Sequence, residues 1–151
     1  MDKKFLDEAR SLALLSKNVD DVPVGAVVVL DGKIIGQGFN KKESQKNAVL
    51  HAEIEAISNA CKNIGNWRLD GADIYVTLEP CLMCLGAIFN ARIKNVYFGT
   101  RDTSRGDAKV FDVVKTGYMN HSLGEYACLE DAESKKILTD FFKKRRLENR
   151  K

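Results

Sequence analysis

Apolar residues recur along the chain with two spacings, one typical of helices and one typical of strands. The first segment predicts an amphipathic helix, whose apolar positions are Phe5, Leu6, Ala9, Leu12 and Ala13. Pro23 disfavours further helix, and the β-branched run PVGAVVVL begins there. Asp31-Gly32 separates it from the apolar run KIIGQGF, and an Asp-Gly pair between such runs is a strong hairpin signal. Residues 24–39 are therefore predicted to form two antiparallel strands.

The central part of the chain alternates helical and extended patterns. HAEIEAISNAC, which starts at His51, has helical spacing, and ADIYVTL is typical of a strand. EPCLMCLGAIFNA predicts an apolar helix opened by Pro80, and IKNVYFGT predicts another strand. Alternating strands and helices indicate parallel crossovers, whereas the first hairpin is antiparallel. We therefore predict an α/β fold with a mixed sheet of about five strands.

The C-terminal third is less regular. Residues 101–120 look irregular apart from one short helical turn at 110–114. SLGEYAC is predicted to be the last strand, and residues 131 to about 148 a closing helix. Phe141 and Phe142 are adjacent in that helix, so they cannot face the same way and at least one is expected in the core.

The composition predicts one domain over residues 1–151 and no membrane span. Hydrophobic residues make up 44% and charged residues 30% of the chain, and no window reaches the roughly eighteen consecutive apolar residues of a spanning helix. The N-terminus, MDKKFLDEARSLALLSK, carries acids within its apolar stripe, so we expect no secretory signal and a cytoplasmic location. The net charge is only +3, but the C-terminal FFKKRRLENRK places six basic residues against one acid. This cluster is consistent either with phosphate binding or with a solvated helix end.

Two short motifs supply the residue types of a metal site. His51 and Cys81 each fall at a predicted helix start, where free N–H groups favour a thiolate, and Cys84 follows Cys81 by about one turn. One histidine and two cysteines suit Zn²⁺ and leave a fourth tetrahedral position for water, as in catalytic zinc sites. Glu53, in the first turn after His51, is close enough to exchange protons with that water without being a ligand.

Each motif alone has a simpler explanation. An isolated HxE is compatible with an ordinary surface helix start, and an isolated CxxC is also typical of a redox dithiol. The two motifs together, with Pro80 before the first cysteine, favour the zinc interpretation.

The combined signature resembles a known family. HAE followed by PCLMC matches the H-x-E…P-C-x-x-C pattern of the zinc-dependent nucleobase deaminases. Further segments resemble the bacterial tRNA adenosine deaminase (TadA) family in order and spacing over nearly the whole chain: PVGAVVV, GFN, HAEIEAI, TLEPCLMCLGAI, ARI with VYFGTRD, GYMNH and DFFKKRR. This resemblance implies a three-layer α/β/α cytidine deaminase-like fold and a homodimer.

Carried over residue by residue, the resemblance implies one zinc ion per chain on His51, Cys81 and Cys84, with Glu53 as the proton shuttle. The implied reaction is hydrolytic deamination of the wobble adenosine of a tRNA anticodon stem-loop to inosine, after the base has been flipped into the pocket. The implied substrate contacts are Val24, Asn40, Ala52, Pro80, Asp102 and Asn120. Asp102 and Asn120 are also ordinary turn residues.

The resemblance has one departure and leaves alternatives open. After Asp102 the chain reads TSRGDAKVFDVV, more charged and one residue shorter than in the family, so RNA contacts in this loop are not carried over. His121 is expected to be structural. The zinc motif alone equally permits a deaminase of a free base or nucleoside, such as guanine or cytosine. A noncatalytic, zinc-stabilised RNA-binding subunit is a further alternative, although it would have no need of Glu53.

Overall fold

The computed structural model describes residues 1–105, 112 and 120–149. Within these residues the helices are α1 (Lys4–Asn18), α2 (Ala52–Ile64), α3 (Leu82–Asn90) and α4 (Ala132–Asn149), with a short 3-10 turn at Thr103–Arg105. The strands are β1 (Gly25–Leu30), β2 (Lys33–Phe39), β3 (Asp73–Leu78), β4 (Asn95–Thr100) and β5 (Glu125–Cys128). The helical turn predicted at 110–114 lies outside the described residues, except for residue 112.

The strands form one mixed sheet in the order β2-β1-β3-β4-β5. β1 pairs antiparallel with β2 and β3, whereas β3, β4 and β5 run parallel to one another. Asp31 and Gly32 both have positive φ (51° and 77°) and make the tight turn between β1 and β2. The predicted hairpin and mixed sheet are confirmed. The carboxyl ends of β3, β4 and β5 consequently meet at one edge of the sheet.

Glycines allow two helices to lie very close to the sheet, one on each face. A Cβ added to Gly25 in β1 would overlap the backbone of Ala9 in α1, and one added to Gly38 in β2 would overlap the carbonyl of Ala52 in α2. Gly38 pairs with Ala26, the residue after Gly25, and successive strand residues point to opposite faces. α1 and α2 therefore cover opposite faces, and the close approach of α2 places its N-terminus beside the end of β2.

The other two helices complete a three-layer arrangement. Gly99 of β4 packs against Ser134 of α4 and points to the same face as Tyr97, which lies in the core cluster of α1. α3 buries Leu85, Ile88 and Phe89 in the cluster that also contains the buried side of α2. The predicted α/β/α layering is confirmed.

The two helices that carry the predicted ligands begin directly after them. Pro80 does not open α3 as predicted, because Cys81 keeps an extended backbone (φ −73°, ψ 173°) as N-cap and Leu82 is the first helical residue. The N–H of Glu79 donates to Thr100 O (2.9 Å), which keeps the chain extended up to Pro80. His51 is likewise the extended N-cap of α2 (φ −80°, ψ 158°).

Helix α4 turns one phenylalanine inward and one outward. Phe141 is 8% exposed and belongs to the core, whereas Phe142 is 43% exposed, which confirms that the two side chains face differently. None of the helices in the described part of the chain combines the length and the apolar character needed to cross a bilayer.

Candidate metal centre and active site

His51, Cys81 and Cys84 come together as predicted. His51 Nδ1 lies 3.7 Å from Cys81 Sγ and 3.6 Å from Cys84 Sγ, and the three ligand atoms all lie within 4.8 Å of one another. Ligands at zinc bond lengths of ~2.0–2.3 Å and tetrahedral angles are about 3.5–3.8 Å apart. The two distances from His51 to the sulfurs therefore match those expected around a zinc ion.

Without a metal ion, the two cysteines favour one thiolate and one protonated thiol. Cys84 donates a hydrogen bond that lowers the pKa of Cys81 to about 3, with His51 as a second favourable partner. The same hydrogen bond, together with burial, raises the pKa of Cys84. One thiolate is therefore stable in this pocket, while the second needs an additional positive charge such as a metal ion supplies.

Glu53 lies next to the trio but is not one of its ligands. Its side chain is 4% exposed, and burial raises its pKa to about 7. The carboxyl group and the Cys84 thiol influence each other's pKa, and a negative charge on Glu53 helps to raise that of Cys84. This carboxylate is thus placed to exchange protons with a group bound at the trio's fourth position.

A cavity of about 960 Å³ opens beside the trio and Glu53. Its lining comes from the loops after α1 and β2 and from the carboxyl ends of β3, β4 and β5, where the topology brings loops together. The face of α4 forms a further wall. The volume is at the upper end of small-ligand sites, which are roughly 300–1,000 Å³, and so has room for more than one free base.

The six predicted substrate contacts divide into two groups. Val24, Asn40 and Asp102 line the cavity. Ala52 and Pro80 are buried and Asn120 is exposed, and none of these three lines it. Their predicted contacts with substrate remain predictions.

Asn40 is held by three hydrogen bonds. Its backbone N–H donates to Val24 O (3.1 Å), and its carbonyl accepts from the buried Ser16 hydroxyl (3.1 Å). Ala52 N–H donates to the Asn40 side chain at 2.8 Å. Because a peptide N–H can only donate, the acceptor is Oδ1, and Nδ2 is the end of the amide that can donate to a ligand. Ala52 therefore acts on the cavity through Asn40.

The loop that follows Asn40 is tied down by another buried acid. Asp21 is 2% exposed and accepts from the backbone N–H groups of Glu43 (2.9 Å) and Ser44 (3.2 Å). Lys42 and Glu43 of this loop line the cavity. Neither they nor Asp21 carried a motif that sequence reasoning would have singled out.

The wall formed by α4 presents a regular helical stripe to the cavity. Lys135, Thr139, Phe142 and Arg146 follow one another at spacings of three or four residues and all line it. Arg145 also lines it, but its guanidinium donates to Asp20 O (2.9 Å) and Oδ1 (3.1 Å). Lys143 and Lys144, two further cations of the basic cluster, are exposed and do not line the cavity. Helical periodicity gives the stripe, but the sequence does not show which face of α4 turns toward the site.

His121 has a structural role, as expected. Its Nε2 lies 2.8 Å from Ile93 O and its ring packs edge-on against Phe89, with 5.6 Å between centroids.

Comparison with known proteins gives the same assignment as the geometry. The family model described as MafB19-like deaminase matches residues 2–146. The chain belongs to the MafB19-like deaminase family.

Relatives of this MafB19-like deaminase include proteins named for activity on tRNA. A tRNA-specific adenosine deaminase of Agrobacterium fabrum (strain C58) is 41% identical over 152 residues, which cover 96% of both chains. A structure solved in studies of A-to-I editing by tRNA:A34 deaminases at the wobble position has a TM-score of 0.81 and 38% identity, covering 91% of this chain and 100% of that one. The resemblance to tRNA adenosine deaminases is confirmed.

A deaminase of a free base is also similar. The guanine deaminase of Bacillus subtilis has a TM-score of 0.65 and 30% identity, with 95% of each chain covered. The solved structures similar to this chain thus include deaminases named for tRNA and for a free base, and the His51, Cys81 and Cys84 trio fits a zinc site.

Proposed function

We propose that this chain is a zinc-dependent tRNA adenosine deaminase that converts the wobble adenosine of an anticodon loop to inosine. The observation that carries the proposal is the trio with Glu53 beside a cavity that has room for more than one base, in a chain whose relatives are named for this activity. Residues 1–151 act as one deaminase domain. A tRNA substrate also implies a cytoplasmic location.

His51, Cys81 and Cys84 would hold one zinc ion per chain. When bound, zinc would supply Lewis acidity that makes a water molecule acidic. Glu53 would accept a proton from the attacking water and deliver it to N1 of adenine as the water oxygen adds to C6. Glu53 then carries the second proton to the amino group, which leaves as ammonia. The reaction consumes one water and releases one ammonia, and the protein residues end in their starting protonation states.

The target base is oriented by residues that line the same cavity. Asn40 presents Nδ2 to an acceptor on the purine edge, since Ala52 N–H already occupies Oδ1. Val24, 4% exposed, supplies an apolar wall. Flanking nucleotides lie toward Asp102 and the stripe on α4, where Lys135 and Arg146 offer positive charge on either side of Phe142.

The experiment compares substrates directly. Purified protein is incubated with an anticodon stem-loop that carries adenosine at the wobble position, with the same stem-loop carrying cytidine, and with free adenine, guanine and cytosine, and products are identified by mass spectrometry. The proposal expects inosine from the first substrate only. Faster conversion of a free base would favour the second candidate, which the similarity to guanine deaminase supports.

The metal is tested separately. Elemental analysis of purified protein is expected to give about one zinc per chain, since three of four tetrahedral ligands are provided. Protein without metal but with a Cys81–Cys84 couple that titrates with a thiol reductant would instead indicate a redox dithiol.

We further propose a homodimer that uses the outer face of α3. Leu82 and Met83, next to the ligands Cys81 and Cys84, are 51% and 37% exposed, and no atom would lie within 4 Å of a Cβ added to Gly86. An exposed apolar patch at the start of a helix that carries metal ligands is costly to leave in water. Light scattering of wild type and Met83→Glu tests the proposal, which expects a dimer that dissociates in the variant.

A further inference from the structure

Glu79 is a cavity-lining carboxylate that the function above does not use. It follows the last residue of β3 and lies two positions before Cys81. Its side chain is 13% exposed, which is low for an ionised group. A half-buried carboxylate persists where donors surround it, and those around Glu79 come from β5 and from the residues just after β4.

The donors to Glu79 connect the carboxyl end of β3 to β5 and to the residues just after β4. Oε2 accepts from the hydroxyl of Tyr126 in β5 at 2.7 Å and lies 3.6 Å from Arg101 Nη1, just after β4. Oε1 accepts from the backbone N–H of Asp102 at 3.3 Å. The neighbouring rings strengthen this arrangement, because Tyr126 and Arg101 both pack on Phe98, with 4.9 Å and 5.5 Å to its centroid.

Glu79 therefore links the loop that carries Cys81 to the loop that begins at Asp102. Only Pro80 separates Glu79 from Cys81, whose sulfur is a proposed zinc ligand. Glu79 also holds the backbone at Asp102, which lines the cavity and starts the Thr103–Arg105 turn. Asp102 Oδ1 in turn accepts from Ser104 N–H at 3.0 Å, so its side chain also shapes that turn. Hydrogen bonds to an ionised group are stronger than neutral ones and define a geometry well.

We propose that Glu79 is a positioning residue that fixes the distance between the zinc-ligand loop and the Asp102 loop, and thereby the fit of nucleotides flanking the target base. The inference rests on the proposed function, because it takes Asp102 as a contact of bound RNA. Glu79 itself touches neither the substrate nor the reacting atoms. Its effect should therefore appear mainly in substrate binding, since displacement of a positioning loop by about 1 Å weakens productive binding strongly.

Glu79→Gln tests the inference with little change in shape. An amide has one oxygen, so it cannot offer separate acceptors to Tyr126 and Asp102, and it has no charge for Arg101. The matched control is Asp73→Asn at the opposite end of β3, where Asp73 accepts from Asn95 Nδ2 (2.7 Å) and does not line the cavity. Both variants lose one carboxylate that links neighbouring strands.

We expect Glu79→Gln to raise KM for the stem-loop about ten-fold while kcat changes less than about three-fold and zinc content stays at the wild-type level. Asp73→Asn should leave KM within about two-fold of wild type, even if its melting temperature falls as far as that of Glu79→Gln. A purely structural role for Glu79 would lower the melting temperature of both variants without separating their KM values, and that result would overturn the inference.

A second arm asks whether Glu79 acts through Asp102. In an Asp102→Ala background, Glu79→Gln should change KM less than about two-fold, because the contact that it positions is already gone. A ten-fold effect in both backgrounds would show independent action and would also overturn the inference. If wild type fails to deaminate the stem-loop, the proposed function is wrong and the inference with it. If wild type succeeds and Glu79→Gln matches the control, only the inference is wrong.

Discussion

Glu53 and Glu55 lie two positions apart in α2 but in different surroundings. Glu53 is 4% exposed and lines the cavity together with His51 and Cys81. Glu55 forms an ion pair with Lys41 (2.7 Å) and accepts from Phe39 N–H (3.3 Å), so its role is to hold α2 on β2. The pair offers a test of the proton shuttle with an internal control.

Glu53→Gln should lower kcat on the stem-loop by about 10²–10⁴, because the isosteric amide cannot carry the two protons of the reaction. Zinc content and melting temperature should stay close to wild type, since the ligands are intact. Glu55→Gln is the control and should keep activity within about three-fold. Single-turnover assays measure both. If Glu53→Gln retained most of the wild-type rate, the residue would have no part in the chemistry.

Cys84→Ala should lose zinc and stability together. Cys84 is fully buried, and the two remaining ligands would bind the ion at least about ten-fold more weakly. Chelation should lower the melting temperature of wild type, because zinc binds only the folded form, and should leave that of Cys84→Ala unchanged. Cys61→Ala, which removes a cysteine outside the trio, is the control and should keep its zinc. A zinc-replete Cys84→Ala protein would show that the ligand set is wrong.

Helix α4 is attached to the N-terminal region at two separated points. Near its start, Arg10 of α1 pairs with Asp131 (2.7 Å), and near its end Arg145 pairs with Asp20. Asp131 also caps the helix, because it accepts from Ser134 N–H at 3.0 Å. These contacts fix the rotation of α4 and so determine which residues face the cavity.

Asp131→Ala should destabilise the protein by about 1–2 kcal/mol at neutral pH, through the lost cap and the lost ion pair. Burial opposes ionisation of Asp131, but hydrogen bonds from Ser134 and Arg10 outweigh it and lower its pKa. A lowered pKa means that the carboxylate stabilises the fold above its unfolded pKa of about 3.9, and that this contribution is lost as the pH falls further.

Urea denaturation of the zinc-free forms checks this prediction. The difference between wild type and Asp131→Ala should be constant from pH 7 to pH 5 and shrink below pH 4, which is about the unfolded pKa. Asp140→Ala, which removes an exposed carboxylate paired with Lys136 on the same helix, should change stability little. A difference that grew on acidification would contradict the assigned pKa direction.

How far the sequence predicts an element depends on how local its determinants are. The β1–β2 hairpin follows from Asp31-Gly32. The sequence also predicts the starts of α2 and α3 to within two residues, because His51 and Cys81 are the N-caps of these helices. The cavity face of α4 was not predictable, because it depends on contacts with residues more than a hundred positions away, such as Asp20. The partners of Glu79 were missed for the same reason, since Tyr126 is 47 positions along the chain.

At the scale of the whole molecule, the net charge is only +3. Around the cavity, however, several acids are already paired within the protein, whereas two cations have no ion-pair partner among the described residues. Several acids of the cavity wall already have donors: Asp20 has Arg145, Asp131 has Arg10, and Asp21 has two backbone N–H groups. Lys135 and Arg146 make no ion pair with any described residue. The cavity's positive charge is therefore available to a polyanion along the α4 stripe.

Two pairs of cations on α4 allow this idea to be tested with two variants of equal net charge. Lys135→Gln/Arg146→Gln removes the pair that lines the cavity, and Lys143→Gln/Lys144→Gln removes an exposed pair from the same helix that does not. KM for the stem-loop is measured for each variant over a range of salt concentrations, together with zinc content.

The cavity-facing pair should matter and the other pair should not. Loss of Lys135 and Arg146 should raise KM about ten-fold at moderate salt and reduce the slope of log KM against log salt by about 1.4, the value for two phosphate contacts on single-stranded RNA. Loss of Lys143 and Lys144 should change KM less than about two-fold, because these exposed side chains do not line the cavity and exposed charges are screened by salt. Zinc content should not change in either variant, since neither pair touches the trio. Equal effects from the two pairs would mean that RNA responds only to overall charge, and no effect from either would remove α4 from the RNA-binding surface.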